Sequence, residues 1–309
     1  MEKQKIAVVG SYAVGMTIYG DHFPTPGETV PGYNFFSCHG GKGSNQAVAA
    51  ARMGAKVVYG TCIGKDGFGE GALKLFKEED MDYEAVRISE TSATGVGLIM
   101  INKEGENEIV TDFAANREFG PADIDAMFPK IKECKLLLMQ FEGSIEAVEH
   151  AAKLCKENDI AFVLNPAPFA PCSEEVLKCC TYITPNQTEA RQLLGLDGND
   201  PRSDKEVAHM LREKGINNIV MTLGSGGCYI LNDELDIHVP GMRVDPVDTV
   251  GAGDTFTGAF CAALAEGKSV VEAAKMGNVA AGIAVTRVGV VESIPSRAEV
   301  DKKLEEMEA

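Results

Sequence analysis

Short apolar runs alternate with amphipathic helical stretches along most of this chain, the rhythm of a mainly parallel sheet covered by helices on both faces. The runs Lys5 to Val9, Lys56 to Tyr59, Leu136 to Met139, Ala161 to Leu164, Tyr182 to Thr184 and Asn218 to Thr222 predict strands. Helices are expected near Ser44 to Met53, Gly69 to Glu79, Ser144 to Asn158, Gln187 to Leu194 and Asp204 to Lys214. One more should follow Asp254. There Phe256, Ala259, Phe260, Ala263 and Leu264 share one helical face, and Gly267 offers a stop. Two segments break the rhythm. Met16 to His39 is rich in turn residues, and Gly95 to Asp112 reads as a hairpin with its turn at Lys103 to Glu106. Both look like excursions from the core that pair with each other as a small sheet.

Composition narrows the picture. A chain of 309 residues with 45% hydrophobic content can bury a large core in one α/β domain with a small appendage. A net charge of -17 argues against nucleic acid or an anionic membrane as partner, so any phosphate must be held by a local site. No apolar run approaches the ~18 residues of a membrane span. The nine cysteines show no CxxC or zinc spacing, and no signal peptide is recognisable, so reduced thiols and a cytoplasmic protein are expected.

The stretch Asp248 to Thr255, DTVGAGDT, carries the most chemistry. Gly251, Ala252 and Gly253 let backbone N–H groups approach an anion at the positive end of the following helix, and Asp254 in the first turn is placed to take a proton from an attacking hydroxyl. Alone, Asp254 would read as an acidic residue that stabilises the helix start; the Gly-Ala-Gly before it favours a base beside an anion hole. His39 to Gln46, HGGKGSNQ, is a close-approach loop with Asn45 able to face a cleft. It is not a Walker A loop, because Lys42 is followed by Gly43. NPAP (Asn165 to Pro168), TPNQTE (Thr184 to Glu189) and TLGSGG (Thr222 to Gly227) each follow a predicted strand, where α/β sheets bind ligands. Asn186 and Glu189 could organise water around Mg²⁺, with simple helix capping as the alternative for Asn186. Thr222, Gly224, Ser225 and Gly227 are flexible enough to wrap a nucleotide. A lid would suit such a site by excluding water from a phosphoryl transfer. An oxidoreductase is disfavoured, since no GxGxxG follows the first strand.

The order and wording of these motifs resemble the ribokinase family of carbohydrate kinases over nearly the whole chain: PTPGET (Pro24 to Thr29), GGKGSNQAVAAARMGA (Gly40 to Ala55), LNPAP (Leu164 to Pro168), TPNQTEA (Thr184 to Ala190), TLGSGG, DTVGAGDTFTGA (Asp248 to Ala259) and AVTRVG (Ala284 to Gly289). The resemblance implies a three-layer α/β fold with a mainly parallel central sheet and a small β lid. The core would comprise residues 1–12, 40–94 and 117–309, and the lid residues 13–39 and 95–116. It implies ATP-dependent phosphorylation of a sugar's primary hydroxyl with Mg²⁺. Asp254 would be the base and Gly251, Ala252 and Gly253 the anion hole. Gly41, Lys42, Asn45 and Glu142 would contact the sugar; Asn186 and the Thr222 to Gly227 loop would hold the nucleotide, with Asn278 near the adenine. A monovalent cation, K⁺, would be held by Asp248, Val250, Ala284, Arg287, Gly289 and Ser293. Similar proteins pair through the lid as homodimers.

One departure bears on the substrate. Family members acting on ribose carry an Asn and an Asp two residues apart just after the first-strand Gly-Ser, where this chain has Ala13 and Gly15. Losing those hydrogen bonds should weaken ribose by about two to four orders of magnitude unless other residues replace them. A different pentose, a ketose, a modified sugar or a nucleoside is expected instead, with Tyr12, Met16 and Phe113 as candidate lining and Arg117 as a candidate for an anionic substituent. A sugar- or nucleotide-binding protein without catalysis is the reading from another class.

Overall fold

The protein is described by a computed structural model covering residues 3–308. Its main sheet has eight strands in the order Asp236–Val239, Cys228–Leu231, Ile219–Thr222, Tyr182–Ile183, Ala161–Leu164, Leu136–Met139, Lys5–Val9 and Lys56–Gly60. The six strands from Ile219–Thr222 to Lys56–Gly60 run parallel. The other two are antiparallel additions at one edge, with Ile219 opposite Leu231 and Cys228 opposite Val239. The apolar pattern alone did not predict these two strands, which take their place from antiparallel pairing.

Lys5–Val9 shows why the parallel strands read as unbroken apolar runs. Ile6 and Val8 enter one core cluster with residues of the helices Lys42–Arg52, Ala252–Ala265 and Val270–Ala284. Ala7 and Val9 enter another with residues of Pro121–Ile131, Ile145–Glu157 and Asp204–Glu213. Both faces are therefore covered, and neither can tolerate polar alternation. Helices Pro121–Ile131, Glu174–Cys179, Val270–Ala284 and Arg297–Glu308 complete the layers beyond those the periodicity predicts. All nine cysteines are free. Among the described residues no helix is long and apolar enough to cross a membrane.

The chain leaves its first strand toward one neighbour, Lys56–Gly60, and later returns to pair Leu136–Met139 on the other side. This reversal opens a crevice beyond the strand ends. Helix Lys42–Arg52 starts there, two residues earlier than expected, because Gly41 caps it at φ 90°. Gly43 can enter the first turn only without a side chain, since a Cβ would lie 2.4 Å from the Gly10 carbonyl carbon.

The second sheet has four strands in the order Gly32–Gly40, Ala13–Gly20, Gly95–Ile101 and Asn107–Asp112. Ala13–Gly20 pairs antiparallel with Gly32–Gly40 and parallel with Gly95–Ile101, so Gly15 lies between Cys38 and Gly97. The turn-rich stretch from Met16 to His39 thus contains most of two strands, the first beginning at Ala13. The hairpin turn falls where the sequence places it, closed by the Asn102 amide on the Glu106 carbonyl at 3.0 Å.

Candidate active site

Asp254 occupies the third position of helix Ala252–Ala265, behind Gly251 at φ 77°. Its side chain is buried, yet polar groups from another helix surround it. Asn45 Nδ2 donates to Oδ2 at 3.0 Å, and Gln46 Nε2 donates to Oδ1 at 2.9 Å. The Lys42 ammonium lies 3.9 Å from Oδ1. The field of Asp254 is the main cause holding the Lys42 ammonium above its ordinary range.

The contact exists because the two helices nearly touch. A Cβ at Gly258 would fall 2.4 Å from the Gln46 carbonyl oxygen and 2.6 Å from the Ala49 Cβ. Gln46 extends the cluster inward, donating also to Asn165 Oδ1 at 2.9 Å and accepting from Gln140 Nε2 at 2.7 Å. Asn165 in turn donates to the Thr184 carbonyl at 2.6 Å. Sequence reasoning placed Asn45 in this cleft but missed the positioning roles of Gln46, Gln140 and Asn165. Their residue types and places after predicted strands were the available signal. Several buried oxygens around the site have no partner within the protein, among them Asn45 Oδ1, Thr255 Oγ1 and Thr257 Oγ1. Asn45 Oδ1 is thus a buried acceptor without a protein donor.

Glu142 approaches from the end of the strand Leu136–Met139. It accepts from the Ser11 hydroxyl and, at 2.7 Å, from the Lys42 backbone N–H. Burial raises its carboxyl above the ordinary range, against the opposing pull of Lys42 and these hydrogen bonds. Glu142 thereby ties the close-approach loop to the sheet.

Two adjoining cavities meet at Gly253. The smaller, about 170 Å³, is lined by Lys42, Asn165, Asn186, Glu189 and Asp254 among others. The larger, about 600 Å³, includes Asn186, Thr222, Gly224, Ser225, Gly227, Ala252 and Asn278 in its wall. A Cβ at Gly253 would meet nothing within 4 Å, so its peptide is open to a ligand. Asn186 and Glu189 form a capping box: Asn186 Oδ1 accepts from the Glu189 N–H and Glu189 Oε2 from the Asn186 N–H, each at 2.8 Å. Capping and a water-mediated cation role are compatible here, since Glu189 keeps its second oxygen and lines the smaller cavity. Burial raises the Glu189 carboxyl. Asn278 spends its amide on the Val239 and Pro240 carbonyls at 3.2 and 3.1 Å, which fixes one wall of the larger cavity.

The residues expected at a monovalent cation lie on two adjacent loops. The Val247 N–H donates to the Val285 carbonyl at 2.7 Å. The Asp248 carboxylate accepts from the N–H groups of Val250 and Gly289 at 3.0 and 3.3 Å. Ser293 donates to the Val290 carbonyl at 2.8 Å, and Arg287 reaches the Ser293 carbonyl at 3.5 Å. The Ala284 carbonyl accepts from the Arg287 N–H at 3.0 Å. Among the described residues no group of three or more His, Cys, Asp or Glu could hold a metal.

Four expectations about the small sheet need sorting. Tyr12 is fully buried, with its hydroxyl 2.7 Å from His39 Nδ1 and its ring edge-on to Phe76, so it belongs to the core. Met16 packs on the same core cluster and faces away from Gly15. Phe113 and Arg117 meet each other, the guanidinium 5.8 Å from the ring centroid, and neither lines the two cavities. The face carrying Ala13 and Gly15 also carries Cys38, Gly97 and Ile99. Burial is the main cause pushing the Cys38 thiol on this face up to about 11.

A buried carboxylate at a helix start, an open peptide beside it and two joined cavities define a phosphotransferase-type site in an α/β fold. The chain belongs to the pfkB family of carbohydrate kinases, whose model matches residues 3–297. Its particular likeness within the family is to ribokinases. It is 39% identical to a ribokinase of Haemophilus influenzae, covering 98% of this chain and 99% of that one. A deoxyribokinase of Salmonella typhi is 35% identical over 94% of this chain and 95% of its own. The Thermotoga maritima ribokinase structure superimposes with a TM-score of 0.89 at 33% identity, covering 98% and 99% of the two chains. A structure of Arabidopsis thaliana ribokinase complexed with ribose and ATP gives 0.90 at 26% identity, covering 99% of each.

Proposed function

We propose that this sugar kinase transfers the γ-phosphoryl group of ATP to a primary hydroxyl of a sugar other than ribose, with Asp254 as base. The observation that carries the reading is Asp254 itself, buried at a helix start where the two cavities join. ATP occupies the larger cavity with its phosphates toward Gly253. The acceptor sits at Asp254, contacted by Asn45, Lys42, Gly41 and Glu142. The hydroxyl oxygen bonds to the γ-phosphorus as the bond from that phosphorus to the β,γ-bridging oxygen breaks. The hydroxyl proton passes to the Asp254 carboxylate, and ADP leaves. Gly251, Ala252 and Gly253 direct their N–H groups and the helix dipole at the charge on the transferring group. Mg²⁺, if bound, would be held through water by Glu189 and Asn186 and would supply charge neutralisation to the phosphates. K⁺, if bound, would be held by oxygens of the Asp248 and Ala284 to Ser293 loops beside the backbone leading into Gly251.

The acceptor assignment rests on the small sheet, acting as a lid. Where ribose kinases would carry the Asn and Asp, its face presents methyl, thiol and backbone surface at Ala13, Gly15, Cys38 and Gly97, and the nearest polar side chains on that face are the Thr17 and Thr111 hydroxyls rather than a carboxylate. The loss of the two polar side chains at Ala13 and Gly15 keeps a nucleoside as the second reading. Exposed Tyr33, Phe35, Leu98, Ile109 and Val110 on the same sheet make it the surface for pairing two copies.

The test is ADP release from ATP and Mg²⁺, with and without K⁺, across pentoses, ketohexoses, deoxy-sugars and nucleosides, using Asp254→Asn as the blank. Turnover of another acceptor with ribose poor supports the reading, strong ribose turnover overturns the acceptor assignment, and ligand binding without ADP release points to a binding protein.

A further inference from the structure

The larger cavity must hold a polyanion in a chain of net charge -17, yet its wall contains one charged residue, Arg243. The rest is glycine, hydroxyl, amide and apolar surface, including Met242, Phe256, Ala281 and Val285. At the junction with the smaller cavity the charged groups are Lys42, Glu189 and Asp254, of which only Lys42 is cationic, and it is engaged by Asp254. Arg243 is exposed and has no hydrogen-bond or ion-pair partner among the described residues. Every other arginine named so far holds a protein group: Arg287 pairs with Glu299, and Arg117 lies over Phe113.

The segment bearing Arg243 is anchored on both sides, which gives the side chain a defined station. The Gly241 N–H donates to the Gly226 carbonyl at 3.2 Å, locking the segment to the Thr222 to Gly227 loop. Met242 packs against Gly282, where a Cβ would meet its methyl carbon at 2.8 Å. Beyond it, Val247 is tied to Val285. Arg243 therefore stands on a braced strip between the nucleotide loop and the loop leading to Gly251.

We propose that Arg243 is a nucleotide-binding residue that contacts the phosphates of the bound nucleoside polyphosphate from the solvent side. This rests on the reading of the larger cavity as the nucleotide site. A planar guanidinium with several donors matches phosphate oxygens, and an unpaired one loses no protein partner when it swings over a ligand. It also offsets the repulsion that the acidic surface imposes on an approaching polyanion.

The experiment is calorimetric titration of the full chain with ADP, AMP and adenosine, comparing wild type with Arg243→Gln and Arg243→Lys. Arg243→Gln is expected to weaken ADP about tenfold and to leave adenosine within about twofold, with Lys restoring part of the loss. The salt dependence of ADP binding should also become shallower in Arg243→Gln. Unchanged ADP affinity overturns the assignment, as does an equal loss for adenosine, which would place the side chain on the base. Failure of wild type to bind ADP at all would instead sink the parent reading of the cavity. Because Arg243 is exposed and unpaired, an unaltered thermal unfolding curve separates loss of contact from loss of fold.

Discussion

Asp254 gains its role from neighbours that it meets only in three dimensions. Asn45 and Gln46 fix its two oxygens, and Lys42 supplies the nearest positive charge. Asp254→Asn should fold as the wild type does and lose about two to four orders of magnitude in kcat, read by coupled ADP release. Gln46→Leu should cost about 1–3 kcal/mol in urea unfolding, because Gln140, Asn165 and Asp254 each lose a buried partner. Glu142 predicts a pH dependence. Its folded-state carboxyl titrates above the unfolded value because of burial, so its contribution to stability is fully present below the unfolded pKa and is lost as pH rises through the folded one. The stability of wild type relative to Glu142→Gln should therefore fall as pH is raised from about 4 to about 7, measured by unfolding across that range. At this scale the carboxylate, the glycines and Asn45 were legible from type and order. The Gln46 network was not, because its partners lie on three separate strands and helices.

Two helices that start at the crevice form the working element. Lys42–Arg52 and Ala252–Ala265 approach so closely at Gly258 that backbone packs on backbone. Gly258→Leu should lower stability by about 1–3 kcal/mol through overpacking. It should also depress kcat more than nucleotide affinity, because it parts Asp254 from Asn45 and Gln46; kinetics beside ADP titration would show the split. The apolar period predicted Ala252–Ala265, since its heptad-like face is long enough to be seen. It missed the antiparallel strands Cys228–Leu231 and Asp236–Val239, which take their place from pairing, the first with Ile219–Thr222 and the second with the first. It placed the turn-rich Met16 to His39 stretch in the small sheet but not its two strands, because Pro and Gly there punctuate strands whose order comes from cross-strand partners.

Over the whole molecule, acceptor choice and assembly converge on the small sheet. Installing Ala13→Asn with Gly15→Asp should raise kcat/KM for ribose by about ten- to a hundredfold and lower that for the natural acceptor, read on the same sugar panel. The added Asp has tight but real room, since a Cβ at Gly15 would lie 3.3 Å from Cys38 Sγ. On the proposed pairing through the small sheet, Phe35→Asp should leave a monomer in sedimentation where wild type pairs, because Phe35 is 62% exposed on that sheet. The sequence by itself determined the layered α/β class, the close-approach glycines, the acidic first-turn residue and the absence of a Walker A loop. These follow from local rules of periodicity, steric room and helix dipoles. Only the tertiary structure decided that Tyr12 and Met16 serve the core while Gly15 lies on the opposite face of its strand from Met16, and that Gln46 and Asn165 hold the site together. A strand's period assigns residues to two faces, but which face meets the core depends on what packs against it. Arg243 belongs to the same category, because a lone arginine shows its use only when the fold sets it beside a cavity built for an anion.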